Sequence, residues 1–178
     1  EAARDRGCCR SHRALGGVSG SAHEWGTAPD FVGPRHELRE RLLLKLFRSA
    51  EPGRRVLNAG AGQGSFSRLL EEGGFDVVST DVSRAACDVL SRRVRGTVVE
   101  ADVAALPFAN ESFDAVVLGE VIEHVADDVS ALEEARRVLR PGGVAALSVP
   151  AQPTWFGPSD EWAGHVRRYT RDSLIAAC

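Results

Sequence analysis

Methionine is absent from this 178-residue chain, which begins at Glu1. The initiating residue is therefore missing, and processing or truncation is expected to explain it. Cysteine is scarce: Cys8 and Cys9 are adjacent, whereas Cys87 and Cys178 stand alone. That arrangement gives neither a disulfide framework nor a CxxC redox or metal motif, and it favours a reducing cytoplasm. No apolar run approaches the roughly 20 residues that a membrane-spanning helix needs, and no continuous apolar segment at the N-terminus suggests a signal peptide. Excess positive charge is also lacking. The net charge is −3, which carries no electrostatic footprint for nucleic acid or an anionic membrane as partner. No internal repeat is visible.

What is present reads as one globular α/β domain. Hydrophobic residues make up 43% of the chain and charged residues 26%, enough apolar material for a real core at this length. Residues 1–32 are expected to be a disordered leader, because the first 23 mix Arg, Gly, Ser, Ala and His with few large apolar groups. The domain is expected over 33–178. A helix is predicted from Pro34, with Leu38, Leu42 and Leu46 spaced by four and Leu43 and Phe47 beside them. Short apolar runs then alternate with amphipathic segments. Strands are predicted at 55–59, 75–80, 96–101, 113–119 and 142–150, and helices at 64–72, 83–94 and 128–139, the last closed by "RPGG". Runs nearly continuous in Val, Leu and Ala suit strands buried on both faces. The alternation implies a mostly parallel sheet with right-handed crossovers. At the end, "RRYTRDSLIAAC" reads as a helix barely begun, with Thr170 as N-cap and Asp172 in the first turn. The expectation is a chain incomplete at its C-terminus.

In such sheets a ligand sits beyond the carboxyl ends of the strands, so the residues after each strand matter most. After the first comes "NAGAGQGSF". Gly60, Gly62 and Gly64 permit torsions closed to other residues and a close approach to the main chain. The spacing is GxGxG rather than the GxGxxG of a dinucleotide fingerprint, and no Gly-Lys-Ser/Thr of a P-loop follows. A tight turn with no ligand is the plain alternative. After the second strand, Asp81 lies about 20 residues beyond the glycines, where a carboxylate can accept ribose hydroxyls; otherwise it or Ser83 caps the next helix. After the third, Asp102 can accept from an adenine amino group, with Val103 and Leu106 as apolar neighbours. Three strand ends in order each offer what a nucleoside needs.

The order "VLNAGAGQGSF", "STDVS", "EADVAALPFANESFDAVVLGEVIEHV" and "EEARRVLRPGGVAALSVP" resembles class I S-adenosylmethionine-dependent methyltransferases, in particular the small-molecule branch called type 11. The resemblance covers about residues 33–178. It implies a Rossmann-like three-layer sandwich, of whose seven strands this chain holds five. It implies S-adenosyl-L-methionine as cofactor and a small-molecule methyl acceptor. Gly60 and Gly62 would then pass beneath the methionine part, Asp81 and Val82 would meet the ribose end, and Asp102 and Val103 the adenine. Gly119 would line the sulfonium end. Asn58 stands where the family usually has an acid, so an attraction for the cofactor's ammonium group is lost. Two rival readings are a nicotinamide oxidoreductase on a similar sheet, disfavoured by the GxGxG spacing and Asp102, and a non-catalytic nucleoside-binding module, suggested by Asn58 and the incomplete chain.

The segment "VLGEVIEHVADD" leaves the fourth strand at Gly119 and presents Glu120, Glu123 and His124. Read as a helical turn, positions i, i+3 and i+4 share a face. Three roles stay open. The acids complement a helix start and His124 lies on the surface. Alternatively, His124 is a general base beside the acceptor. In the third role, Glu120, Glu123, His124 and the later His165 bind a divalent metal that polarises a substrate hydroxyl; of the two chemical roles the metal carries less weight. Arg167 and Arg168 would meet an acidic substrate or decorate a loop. Trp155, Phe156 and Trp162 would form an apolar lid or pack beneath further elements.

Overall fold

A computed structural model describes residues 34–178 of the chain. The expected leader, together with Cys8 and Cys9, lies outside the described residues. Helix α1 (Pro34–Ser49) leads into β1 (Arg55–Ala59), α2 (Ser65–Glu72), β2 (Asp76–Asp81), α3 (Arg84–Arg93), β3 (Thr97–Glu100) and β4 (Phe113–Gly119). A short 3₁₀ turn, Ile122–His124, precedes α4 (Asp128–Val138) and β5 (Leu139–Ser148); a second, Pro153–Trp155, precedes α5 (Pro158–Ala163) and α6 (Arg171–Ala177). The five strands form one sheet in the order β3-β2-β1-β4-β5, and every pairing is parallel.

Alternate residues of each central strand feed two cores. Leu57, Ala59, Val78, Val116 and Leu118 pack with Ala131, Ala135 and Val138 of α4. On the other face Val56, Val77, Ala115 and Val117 pack with Leu43 and Phe47 of α1 and Phe66 and Leu70 of α2. Strands covered on both sides account for the near-continuous apolar runs. On α1 the structure departs from the expected stripe. Leu43 and Phe47 carry the burial, while Leu38, Leu42 and Leu46 are largely exposed and line an open groove with Leu147 of β5.

The last strand also departs from expectation. It starts at Leu139, directly after α4, so "RPGG" lies within it rather than closing the helix. Pro141 lacks an N–H and cannot join a regular ladder. The register with β4 accordingly shifts between the Phe113–Leu139 and Ala115–Val144 pairs, and Gly142 takes φ 77° to make the bulge.

Local caps explain where helices begin. Ser83 Oγ accepts the Ala86 N–H at 3.2 Å, Asp127 accepts that of Ser130 at 3.1 Å, and Thr170 accepts that of Ser173 at 3.0 Å. The long β3–β4 connection, which carries Asp102 and Val103, is pinned by Arg137 of α4. The Arg137 guanidinium donates to the carbonyls of Leu106 at 2.9 Å and Phe108 at 2.7 Å and to Asn110 at 2.9 Å. Glu134, paired with Arg137, accepts the Leu106 N–H at 2.7 Å.

Arg137→Ala strips three acceptors in this loop of their charged donor. It should lower stability by about 2–3 kcal/mol, read as a lower urea midpoint at unchanged slope. Arg137→Lys should recover little, because one ammonium cannot span the forked set. A wild-type midpoint in the alanine variant would refute this role.

Candidate functional site

Because all strands are parallel, the ends of β1, β2, β4 and β5 open on one edge of the sheet. At the end of β1 the chain turns through Gly60 and Gly62, at φ 71° and 54°. A Cβ on Gly60 would stand 2.6 Å from Val121, whereas one on Gly62 would meet nothing within 4 Å. Gly60 is thus required by packing, and Gly62 exposes bare backbone to open space. Asn58 is buried, and its amide donates to Ser67 Oγ at 2.8 Å, which in turn bonds Ser79 Oγ at 2.8 Å.

Asp81, at the end of β2, binds both sides of this turn. One oxygen accepts the Gly62 N–H at 2.9 Å and the other accepts the Ser83 N–H at 2.9 Å. Ser83 is the true N-cap of α3. Burial raises the Asp81 pKa above the ordinary carboxylate value, opposed by these backbone donors. Val82 beside it is exposed. Asp102 accepts the Ala104 N–H at 2.9 Å. Val103 and Leu106, read earlier as neighbours of a ring, are both buried in the α4-side core.

After β4 the turn differs from the one expected. Glu120 adopts φ 58° and donates its N–H to Ser148 of β5 at 2.9 Å. Only Ile122–His124 coil, as a 3₁₀ turn, so Glu120 does not sit on a helical face with Glu123 and His124. Its carboxylate pairs instead with Arg39 of α1 at 2.5 Å. Glu120 therefore drops out of the expected metal set. A left-handed non-glycine residue leaves no signature in sequence, which is why the helical reading failed here.

Glu123, His124 and His165 do come together. One ligand-capable atom from each lies within 4.8 Å of the others, and the two imidazoles stand 4.7 Å apart edge to face. Glu123 is fully buried, and neither carboxylate oxygen has a hydrogen-bond partner among the described residues. Burial, reinforced by the nearby Glu120, pushes its pKa up to about 8. His124 Nδ1 meets the Gly164 carbonyl at 3.2 Å. Burial and the neighbouring His165 push its pKa down to about 4, which makes it a weak proton acceptor and argues against a general base poised near neutral pH.

Residues the sequence reading passed over hold this cluster. Asp160 of α5 accepts from His165 Nδ1 at 2.8 Å, from Arg168 Nε at 2.7 Å and Nη2 at 2.8 Å, and from the Gly157 N–H at 3.0 Å. The paired guanidinium holds Asp160 far below the usual carboxylate range. The Val166 N–H bonds the Glu123 carbonyl at 2.8 Å. Tyr169 donates to Asp128 at 2.6 Å, and Arg167 pairs with the same carboxylate. Both arginines are thus consumed in fastening the segment after β5. Trp155 and Trp162 stay on the surface. The sole hint of Asp160 was an acid in a first turn, indistinguishable from ordinary capping.

Residues 57–147 match the model of a family described as a methyltransferase domain. The chain is 40% identical over 111 residues to a demethylmenaquinone methyltransferase of Renibacterium salmoninarum, covering 61% of this chain and 46% of that protein. It is 35% identical over 131 residues to a ubiquinone biosynthesis O-methyltransferase of Hahella chejuensis, covering 68% and 54%. The chain thus spans about half the length of the curated relatives it matches. Among solved structures it superposes on the PH0226 protein of Pyrococcus horikoshii with TM-score 0.60 at 29% identity, over 66% of this chain and 56% of that one.

The buried Glu123 makes a prediction about the protein free of metal. Its folded-state pKa, about 8, lies above the ordinary 4.5. Below pH 4.5 both states hold the proton and nothing is lost. As pH rises toward 8 the unfolded carboxyl ionises while the folded one does not, so stability falls by up to about 1.4 kcal/mol per pH unit. Glu123→Gln should remove this loss. Its melting-temperature advantage over wild type should grow across that window in chelator-treated buffer and level off above it. Parallel curves would rule the buried carboxyl out as the cause.

Proposed function

The chain belongs to the methyltransferase-domain family, and from that premise we propose that it binds S-adenosyl-L-methionine and methylates a small molecule. The observation that carries the reading is the pairing of Gly62 with Asp81. Gly62 leaves open space where any side chain would stand, and its N–H is bonded to the Asp81 carboxylate across the turn. A carboxylate has about four acceptor sites, so the bonds from Gly62 and Ser83 still leave capacity for two ribose hydroxyls. The residues present therefore suit this cofactor.

When bound, S-adenosylmethionine supplies a methyl group already activated on a sulfonium. The chain's own work is placement, for which well-oriented reactants can gain about 7–11 kcal/mol. In this reading Gly60 and Gly62 run beneath the methionine part, Asp81 and Val82 take the ribose end, Asp102 and Val103 the adenine, and Gly119 borders the reacting methyl. Asn58, spent on Ser67, offers no carboxylate to an ammonium group, so affinity is lower than an acid there would give. The acceptor side is the cluster after β4, where Glu123, His124 and His165 meet. The relatives named for quinone pathways support a small organic acceptor here. A cytoplasmic setting is supported by Cys87 and Cys178, both free thiols; among the described residues no helix is long and apolar enough to cross a membrane. The family match speaks against the nicotinamide oxidoreductase, and the test below addresses the non-catalytic module.

Calorimetry should give saturable binding of S-adenosylmethionine and of its demethylated product, and none of NADH. Asp81→Asn should weaken both by about 10–100-fold, the loss of charge-assisted bonds. Preference for NADH, or no binding of either methyl-cycle ligand, would overturn the reading. Binding without turnover on any acceptor would leave a nucleoside-binding module.

A further inference from the structure

Helix α1 runs against the charge of the chain as a whole. It carries Arg35, Arg39, Arg41, Lys45 and Arg48 against Glu37 and Glu40. Five bases against two acids give it a net charge of +3, on a chain that totals −3. The whole-chain balance, which shows no electrostatic footprint for a membrane, conceals this concentration. One of the two acids is spent inward: Glu40 accepts from Ser65 Oγ at 2.5 Å and pairs with His36 at 3.1 Å. The other, Glu37, stands 3.9 Å from Arg41 with both side chains exposed, a contact too loose in water to cancel much charge. Arg39 is held by Glu120. Arg35, Arg41 and Lys45 point to solvent.

The same helix has two apolar stripes. Leu43 and Phe47 face the sheet and are buried. Leu38, Leu42 and Leu46, one turn apart, are 58%, 52% and 67% exposed. A row of exposed leucines gains nothing from water, and contiguous apolar surface of this kind marks a docking face. Charge frames the row. Arg35 lies three residues before Leu38, Arg41 three after Leu38, and Lys45 three after Leu42, and residues so spaced adjoin on a helix surface. Arg and Lys lay their aliphatic stems along apolar surface while their charged heads reach away from it.

We propose that this face of α1 seats in the interface of a bilayer containing anionic lipid, with Leu38, Leu42 and Leu46 at the acyl boundary and Arg35, Arg41 and Lys45 against the headgroup phosphates. Basic helices with one exposed apolar stripe lie in the plane of membrane surfaces in this way. An anionic interface satisfies both parts of the face at once. A second copy of the chain does not, because a two-fold axis would set the basic flanks against each other. Nucleic acid would take the charges and leave the leucines wet. Among the described residues no helix is long and apolar enough to cross a membrane, so the attachment made by α1 is peripheral and reversible. Arg39 and Ser148 line the same groove as the leucines, and Ser148 ends β5, so docking brings the crevice edge of the sheet toward the bilayer.

The test is co-sedimentation of the full chain with vesicles of phosphatidylcholine and phosphatidylglycerol in equal parts, and with vesicles of phosphatidylcholine alone. The chain should bind the first, bind the second little, and be released by added NaCl. A basic group near such a surface is worth roughly a five-fold gain, so Arg41→Gln combined with Lys45→Gln should weaken partition about 10–30-fold. Leu42→Ser combined with Leu46→Ser should weaken it at least about 10-fold. All four side chains are exposed, so both double variants should keep the wild-type melting curve. Equal binding to neutral vesicles, or binding that survives either double variant, overturns the proposal. So does a dimer in lipid-free sedimentation that the serine variant dissolves, since the stripe would then belong to a second copy. Cofactor binding plays no part in this measurement: failure to bind S-adenosylmethionine sinks the methyltransferase reading and leaves the membrane face standing.

Discussion

Everything at the site depends on β1 being paired in parallel with β2 on one side and β4 on the other. Parallel strands must all deliver their carboxyl ends to the same edge. The reversal of order at β1 then parts the helices and opens a crevice there. Gly60, Asp81 and Gly119 are neighbours only because three strands of similar length end in register. The cost of that arrangement is a central sheet with no wetted face, met here by two apolar cores, the larger on the α4 side.

Much of this was legible in the sequence because periodicity reports burial. Apolar runs marked each strand, and the helix predicted at 128–139 appears as α4, with Ala131, Ala135 and Val138 buried. The boundaries that failed had local causes. In "RPGG" the Pro–Gly pair looked like a stop, but pairing with β4 carried the strand through it as a bulge. On α1 the leucines at 38, 42 and 46 were as apolar as Leu43 and Phe47, and only the tertiary position of the sheet selects which stripe is covered. Glu120 turned where no glycine announced a turn. Asp160 lies 37 residues from Glu123 in the chain, and a single acid in a first turn has too many ordinary uses to reveal that it orients a histidine.

The electrostatics divide the edge into two halves. On the half at the ends of β1 and β2, Asp81 accepts backbone N–H groups that offset part of the cost of burying its charge. On the other half, guanidinium groups pair with three of the acids: Arg39 of α1 with Glu120, Arg167 with Asp128, and Arg168 with Asp160. The first half is built by the sheet alone. The second exists only once α1 and the segment after β5 have docked, which makes it the part of the molecule most sensitive to changes far from the chemistry.

Tyr169 has a consequence of a different kind. It is the chain's single tyrosine, buried against Asp128 and the Ile122 carbonyl, and its hydroxyl is held well above its ordinary pKa by burial and that carboxylate. Phenolate absorbance in this chain can therefore come from one place only. An alkaline titration watched in the ultraviolet becomes a clock for a single event, the moment the strap after β5 lets go of the turn beneath it, with no label attached.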